Sequence, residues 1–370
     1  MNEDRASRYH RLKRRVSVLS VAWSGLLLLL LLATGGSLGL RQFAEGGTSA
    51  RGPLFSAAIY VVLLFLLNEI IAMPLSFYSG YLLEHRYGLS RESIARWAGD
   101  QVKGAAIGLV LGIGAVEAIY AALRWLPEWW WLAAGLFFAV VIILMANLAP
   151  VILLPIFFRF KPLEREVLRD RLLRLAERAG ARVMGVFEWS LGDRTRKANA
   201  ALTGLGATRR ILVSDTLLAE YSDDEIEVIL AHELAHHVHG DIWKGIAFEA
   251  VLILAGFWVA DRVLRAFASV LGLRGIADVA GLPLLLLAAG AVSLLLVPAA
   301  NALSRLHERR ADRYALDLTH NAAAFISAMR RLGAQNLAED APSALVRTLF
   351  YTHPPIRERI AMAETFNTRN

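Results

Sequence analysis

The chain has no cysteine among its 370 residues. That excludes disulfides and thiolate metal sites, so any bound metal must rest on histidine and carboxylate ligands. Lysine is scarce: of 40 Lys and Arg only five are Lys, a bias that fits a GC-rich bacterial genome. Charged residues are also few, at 20%, and they cluster. No basic stripe interleaved with aromatics exists, so the formal net charge of +7 does not read as nucleic-acid binding. There is no internal repeat and no low-complexity linker. Apolar residues are abundant instead. They make up 56% of the chain, with a mean hydropathy of +0.45, against about 45–50% for an ordinary soluble domain.

The apolar residues fall in long runs. Arg5, Arg8, Arg11, Lys13, Arg14 and Arg15 precede a run over 16–40. Its length, and the want of a clean small-residue cleavage site, predict a retained span rather than a signal peptide. Further spans are expected at 54–78, 104–125, 130–158, 246–270 and 282–302. Gly104, Gly108 and Gly112 have the spacing that would allow close helix contact. Trp129-Trp130-Trp131 reads as an interfacial anchor. Pro150 and Pro155 would bend or end the fourth span. Basic residues gather at the N-terminus and in 79–103, whereas 41–53, 126–128 and 271–281 are poor in them. With six spans, that asymmetry places the N-terminus, a 159–245 insert and the tail together in the cytoplasm. The expected fold is mainly α and polytopic, about six transmembrane helices with a small α+β cytoplasmic insert. Its expected divisions are 1–158 with four spans, 159–245 as a cytoplasmic insert, 246–302 with two spans, and 303–370 as a cytoplasmic tail.

Charge and short periodic elements return in the insert. Residues 163–179 read as an amphipathic helix, and 182–189, 197–203 and 209–214 as strands, the last two joined through Gly204 and Gly206. Asp215 is a candidate cap for a short helix through Glu220. Ser222-Asp223-Asp224-Glu225 reads as a capping box. It opens a helix with apolar Ile226, Val228, Ile229, Leu230, Leu234 and Val238, which Gly240 would stop. That helix carries His232-Glu233-Leu234-Ala235-His236. Residues one turn apart share a face, so both imidazoles can meet one zinc ion, with Glu233 beside them to hold a water. A chance match is expected on the order of once per hundred such chains, so the reading needs a third ligand. Glu308 and Asp312 lie one turn apart where the sixth span runs on. Glu308 as ligand and Asp312 as acceptor from a ligand histidine would divide the work. The alternative is that both simply pair with Arg305 and Arg309. A hairpin of spans five and six would bring the two segments near each other.

Upstream stand Asn199-Ala200, Gly204 and 210–218; downstream stand Glu308-Arg309-Arg310-Ala311-Asp312 and His353-Pro354-Pro355-Ile356-Arg357-Glu358-Arg359-Ile360. With the His-Glu-x-x-His helix, and in this order along nearly the whole chain, these motifs resemble the type I CAAX prenyl proteases. Those are integral-membrane zinc metallopeptidases related to the bacterial heat-shock membrane proteases. Two departures stand out: the usual His-Glu-Leu-Gly-His-Trp is His-Glu-Leu-Ala-His-His here, and an additional N-terminal span of the eukaryotic members is missing.

The resemblance implies zinc held by His232, His236 and Glu308. Glu233 would activate water and pass the proton to the leaving amine, and Asp312 would orient the His232 imidazole. His353 would stabilise the oxyanion and Arg359 would order the site. Strand 199–203 would receive substrate, with Asn199 and Ala200 in contact. Read without the family, His353 is a turn residue before Pro354-Pro355, and 199–203 an ordinary edge strand. His237 and His239 are expected at the surface. Glu69, Glu117 and Glu249 lie in or near apolar runs, and the resemblance would put them on the walls of a hydrated chamber. The function expected is that of a gluzincin-like zinc metalloendopeptidase of the bacterial inner membrane. Its substrate would be a peptide or protein, prenylated as the family name says, or an unprenylated membrane-associated or misfolded protein. A transporter or binding protein with a vestigial site is a third class, opposed by the intact His232, Glu233, His236, Glu308 and His353.

Overall fold

The computed structural model describes residues 4–46, 52–204 and 206–367. Part of the expected 41–53 loop lies outside them. The N-terminal part holds α1 (Arg5–Ala33), α2 (Gly36–Gly46), α3 (Gly52–Arg86), α4 (Ile94–Trp125) and α5 (Trp130–Phe157). The insert follows as β1 (Phe160–Pro162), α6 (Glu166–Arg178), β2 (Val186–Trp189), β3 (Ala200–Thr203), β4 (Arg210–Ser214), α7 (Asp215–Glu220) and α8 (Asp223–Val238). Then come α9 (Asp241–Phe267), α10 (Leu282–Thr319), α11 (Ala322–Gln335), α12 (Ala344–Phe350) and α13 (Ile356–Asn367).

Among the described residues six helices are long and apolar enough to cross a membrane: α1, α3, α4, α5, α9 and α10 with its leading turn. The most apolar stretch of α5 has a mean hydropathy of 2.7 and none of it is buried within the protein. Such a surface needs a bilayer to cover it, and a helix satisfies its own backbone there. The first span differs from expectation. Helix α1 starts in the basic segment and ends at Ala33, where Thr34 Oγ1 donates to the Leu30 carbonyl, and α2 follows as a separate helix. The basic residues join α1 because they have partners at its start: Arg5 donates to the Tyr87 carbonyl and Lys13 to Glu84. The glycine stripe also differs. A Cβ added at Gly104, Gly108 or Gly112 would meet nothing within 4 Å, so these residues make no close helix contact. Pro150 lies in a π-helical stretch over Ala149–Leu153, where its missing N–H is absorbed without ending the helix.

The insert builds one four-stranded sheet in the order β1-β2-β4-β3. Strands β2 and β4 are parallel, with Val186 opposite Ile211, and β3 runs antiparallel to β4, with Ala200 opposite Val213 and Thr203 opposite Arg210. This leaves β3 as an edge. Strand β1 escapes a sequence reading because it has three residues, too few to show alternation. Leu168, Leu172 and Leu175 of α6, Ile211 and Val213 of β4, Ile226, Leu230 and Leu234 of α8, and Phe325 and Met329 of α11 form the insert core. The short helix α7 is capped by Ser214, whose Oγ accepts from Leu217 N–H. Asp215, the expected cap, instead accepts from the N–H groups of Leu191, Gly192 and Thr216.

Contacts join the insert to the bundle at one end. Arg194 pairs with Asp100, Arg14 with Glu339 at 2.6 Å, and Lys197 with Glu84 at 3.0 Å. At the other end Trp130 Nε1 donates to Asp261 at 2.7 Å and Arg41 pairs with buried Asp278. The basic N-terminal segment therefore lies at the same end as the insert and the tail.

The β3–β4 turn depends on Gly204. Its φ is +85°, and an added Cβ would lie 2.6 Å from the Thr208 carbonyl oxygen. Gly204→Ala is expected to destabilise the protein by about 1–3 kcal/mol. Thermal unfolding checks this: an unchanged midpoint would contradict the turn geometry.

Candidate metal centre

Helix α8 begins as the sequence reads. Ser222 Oγ accepts from the Glu225 N–H at 3.3 Å, and Glu225 Oε2 accepts from the Ser222 N–H at 2.8 Å. Leu230 and Leu234 anchor α8 in the insert core, and His232 and His236 lie against α10. Glu308 on α10 reaches between them. Its Oε2 lies 3.2 Å from His232 Nε2 and its Oε1 3.4 Å from His236 Nε2. One ligand atom from each of the three residues lies within 4.8 Å of the others. Glu308 Oε2 is buried and has no hydrogen-bond partner. Two imidazole nitrogens and an unsatisfied carboxylate oxygen converging in this way fit a divalent cation, and the absence of cysteine leaves no softer competitor.

The remaining nitrogens are held away from that point. His232 Nδ1 lies 2.8 Å from Asp312 Oδ1. Asp312 is fully buried and takes both arms of Arg359, with Nε donating to Oδ2 at 2.8 Å and Nη2 to Oδ1. His236 is treated in the same way by a residue the sequence reading passed over. Its Nδ1 lies 3.1 Å from Asp241 Oδ2, and Arg310 Nη2 donates to Asp241 Oδ1 at 2.8 Å. With each Nδ1–H donating to a carboxylate, each Nε2 presents its lone pair toward Glu308. Gly240 makes this possible. It adopts φ +65° between α8 and α9, which folds Asp241, the first residue of α9, back onto His236. The signal in the sequence was an acid directly after the helix-stopping glycine.

Glu233 carries no partner in this network and lines two cavities at once. One, of about 390 Å³, is lined by Asn199, Ala200, His232, Glu233, His353 and Arg359 among others. The second, of about 340 Å³, is lined by Leu202, Glu233, His236, Asp241 and Glu308 among others. Strand β3 therefore passes the centre with its start on one cavity and Leu202 on the other. Asn199 is exposed, and its backbone N–H donates to Ser214 Oγ at 2.9 Å. His353 sits at the rim with its side chain 59% exposed and Nε2 3.4 Å from Glu308 Oε1. Outside the centre, His239 packs edge-on against Tyr314. Glu117 lies 3.8 Å from Arg124 in α4, and Glu249 is exposed.

Burial alone would push the His232 imidazole down, but the Asp312 and Glu308 carboxylates outweigh it and hold the group up to about 9. His236 is likewise raised, against its own burial, chiefly by Glu308. Burial pushes Glu233 up. A proton on His232 therefore competes with a cation for the same point.

The profile for peptidase family M48 matches residues 162–366, and that for the CAAX prenyl protease N-terminal region, described as five membrane helices, matches residues 2–159. The chain is 32% identical to the uncharacterized metalloprotease YhfN of Bacillus subtilis (strain 168), over 97% of this chain and 84% of that protein. It is 27% identical to CAAX prenyl protease 1 of Saccharomyces cerevisiae, over 81% of this chain and 70% of the yeast protein. The crystal structure of Ste24p from S. mikatae superimposes with a TM-score of 0.85 at 24% identity, covering 96% of this chain and 87% of that one.

Proton displacement sets the pH dependence of metal binding. The raised His232 group stabilises the metal-free protein fully below its unfolded value of about 6.5, and that contribution is lost as pH rises through about 9. A bound cation needs the neutral imidazole, so affinity is expected to climb with pH up to about 9 and level off above it. Chelator-competition titrations across that range check this, and a flat profile would contradict it. Asp241→Asn is expected to weaken metal binding by about 10- to 100-fold, measured by the same competition.

Proposed function

The chain belongs to peptidase family M48, and on that premise we propose that this membrane metalloprotease is a zinc endopeptidase with its centre at the cytoplasmic face of the membrane. The observation that carries the reading is the convergence of His232 Nε2, His236 Nε2 and Glu308 on one point, beside a Glu233 that opens on two cavities. Two imidazoles and one carboxylate, with a position left for water, are a donor set of catalytic zinc sites. When bound, zinc would acidify that water and polarise the scissile carbonyl.

The chain's own residues would do the rest. Glu233 takes a proton from the attacking water and delivers it to the departing amine nitrogen, and its burial-raised affinity for protons suits a group that must hold one between the two steps. His353, exposed at the rim, would donate to the oxygen on which charge develops, a contribution of ~3 kcal/mol. Asp312 and Asp241 fix the ligand tautomers, and Arg359 keeps Asp312 ionised and in place. The free edge of β3 at Ala200 would pair with an extended substrate backbone, and the exposed Asn199 side chain would contact it.

The basic residues of α1 stand at the same end as the centre, which supports a cytoplasmic orientation by the positive-inside bias. Similarity to a Bacillus protein supports the bacterial inner membrane. Relatives named CAAX prenyl protease support a prenylated substrate that is cut near its C-terminus. The higher identity to a bacterial protein named only as a metalloprotease supports a second reading, quality control of unprenylated membrane proteins.

The test compares zinc content and cleavage of paired prenylated and unprenylated peptides. Glu233→Gln is expected to keep its zinc and lose about 100- to 10,000-fold in kcat; undiminished turnover would sink the mechanism. His353→Ala is expected to lose about 100- to 1,000-fold in kcat with KM little changed. A substrate-binding role for His353 would raise KM instead. Equal cleavage of both peptides would favour the quality-control reading.

A further inference from the structure

The larger cavity at the centre reaches a residue of a membrane helix. His10 of α1 lines it together with Glu339 and Tyr351. Beyond them lies a separate cavity of about 550 Å³, and His10 and Tyr351 line that one too. The pair, with ring centroids 6.2 Å apart, is therefore a partition between two spaces. It is held by a small network. His10 Nε2 bonds the Leu337 carbonyl at 2.8 Å, Arg14 donates to Glu339 at 2.6 Å and to the Tyr351 hydroxyl at 3.3 Å, and Tyr351 in turn donates to Glu339. Leu337 has φ +50°, a conformation that a bulky side chain adopts only where its surroundings impose it.

The second cavity is mixed in character, with Val16 and Val21 of α1 and Phe350 of α12 in its wall beside polar residues. Lys13, Ser17 and Ser20 line it at the spacing of one helix face, and Ser79 of α3 lies among the other residues around it. Hydroxyls set among apolar side chains suit an extended polypeptide, which carries both kinds of group, better than an acyl chain, which has nothing for a hydroxyl to bind. Strand β3 indicates which part of a substrate reaches it. Antiparallel pairs outnumber parallel ones roughly two- to three-fold. A substrate antiparallel to β3 would run from the Leu202 side to the Asn199 side, so its C-terminal stretch would head for His10 and Tyr351.

We propose that the His10–Tyr351 partition opens to pass the C-terminal stretch of a substrate polypeptide into the α1-lined cavity, so that α1 sets how much chain is tolerated beyond the scissile bond. This rests on the peptidase reading and adds the substrate's course to it.

The experiment uses the full-length, zinc-loaded protein and unprenylated peptides that share one cleavable core, lengthened at either the C-terminal or the N-terminal end. In the Ser17→Trp/Ser20→Trp variant, the ratio of kcat/KM for long to short C-terminal extensions is expected to fall about tenfold or more. The corresponding ratio for N-terminal extensions is expected to stay as in the wild type. An unchanged C-terminal ratio, or an equal fall for N-terminal extensions, would overturn the proposal. A second measurement does not depend on that variant folding. A photo-reactive group at the C-terminal end of the long peptide, bound to Glu233→Gln, is expected to cross-link to α1 between Lys13 and Val21. Labelling elsewhere, or labelling of this stretch by a photo-reactive lipid chain but not by the peptide, would overturn it. If the wild type cleaves no peptide, the peptidase reading fails, and the cross-link still decides this one.

Discussion

Two imidazoles can offer lone pairs to one point only if their other nitrogens are held away from it. The structure does this twice. His232 leans on Asp312, which Arg359 grips from the other side; His236 leans on Asp241, which Arg310 grips. No histidine shares a helix with its carboxylate. The histidines belong to α8, Asp312 to α10 and Asp241 to the start of α9, while the arginines come from α13 and α10. The candidate centre thus ties the insert, the membrane hairpin and the tail together. Buried charges are costly unless paired and hydrogen-bonded, and each of these is both. Removing one partner leaves a charged group stranded, so each pair matters for the fold as well as for the cation.

The bilayer enters this geometry through α10. That helix runs without a break over 38 residues, from the far side of the bundle past Glu308 and Asp312. Each residue adds about 100° of rotation and 1.5 Å of rise, so the register of α10 in the membrane fixes where Glu308 points. Helix α9 is coupled to the same centre by Gly240 and Asp241 at its start. The two spans therefore orient groups of the candidate centre as well as anchoring them, and α1, through His10, lines the cleft.

Much of this is legible in the chain because it is local. The capping box at Ser222–Glu225 and the single-face placement of His232 and His236 depend on helix periodicity alone. The six apolar runs depend on the length of a helix that crosses a bilayer. The continuity of the last span into Glu308 and Asp312 also shows, because no Gly or Pro lies between Pro298 and Asp312. Legibility fails where a residue's meaning depends on what lies across from it. Gly104, Gly108 and Gly112 have a packing pattern and no partner. Asp215 reads as a cap, yet Ser214 takes that place while the Asp215 carboxylate also accepts from the Leu191 and Gly192 N–H groups across the fold. The basic segment before 16 reads as a polar flank, yet it is helical because Glu84 and Tyr87 await it from α3.

The sequence by itself determined the donor chemistry, the membrane class and the helix that pairs two histidines, since each follows from residue type and short-range spacing. Tertiary structure alone decided that Glu308, more than seventy residues downstream, shares a point with them, and that Asp241 serves His236. It also decided that His10 stands at the cleft wall. These are through-space relations between helices whose packing no periodicity encodes, and hydrogen bonds across those interfaces select them.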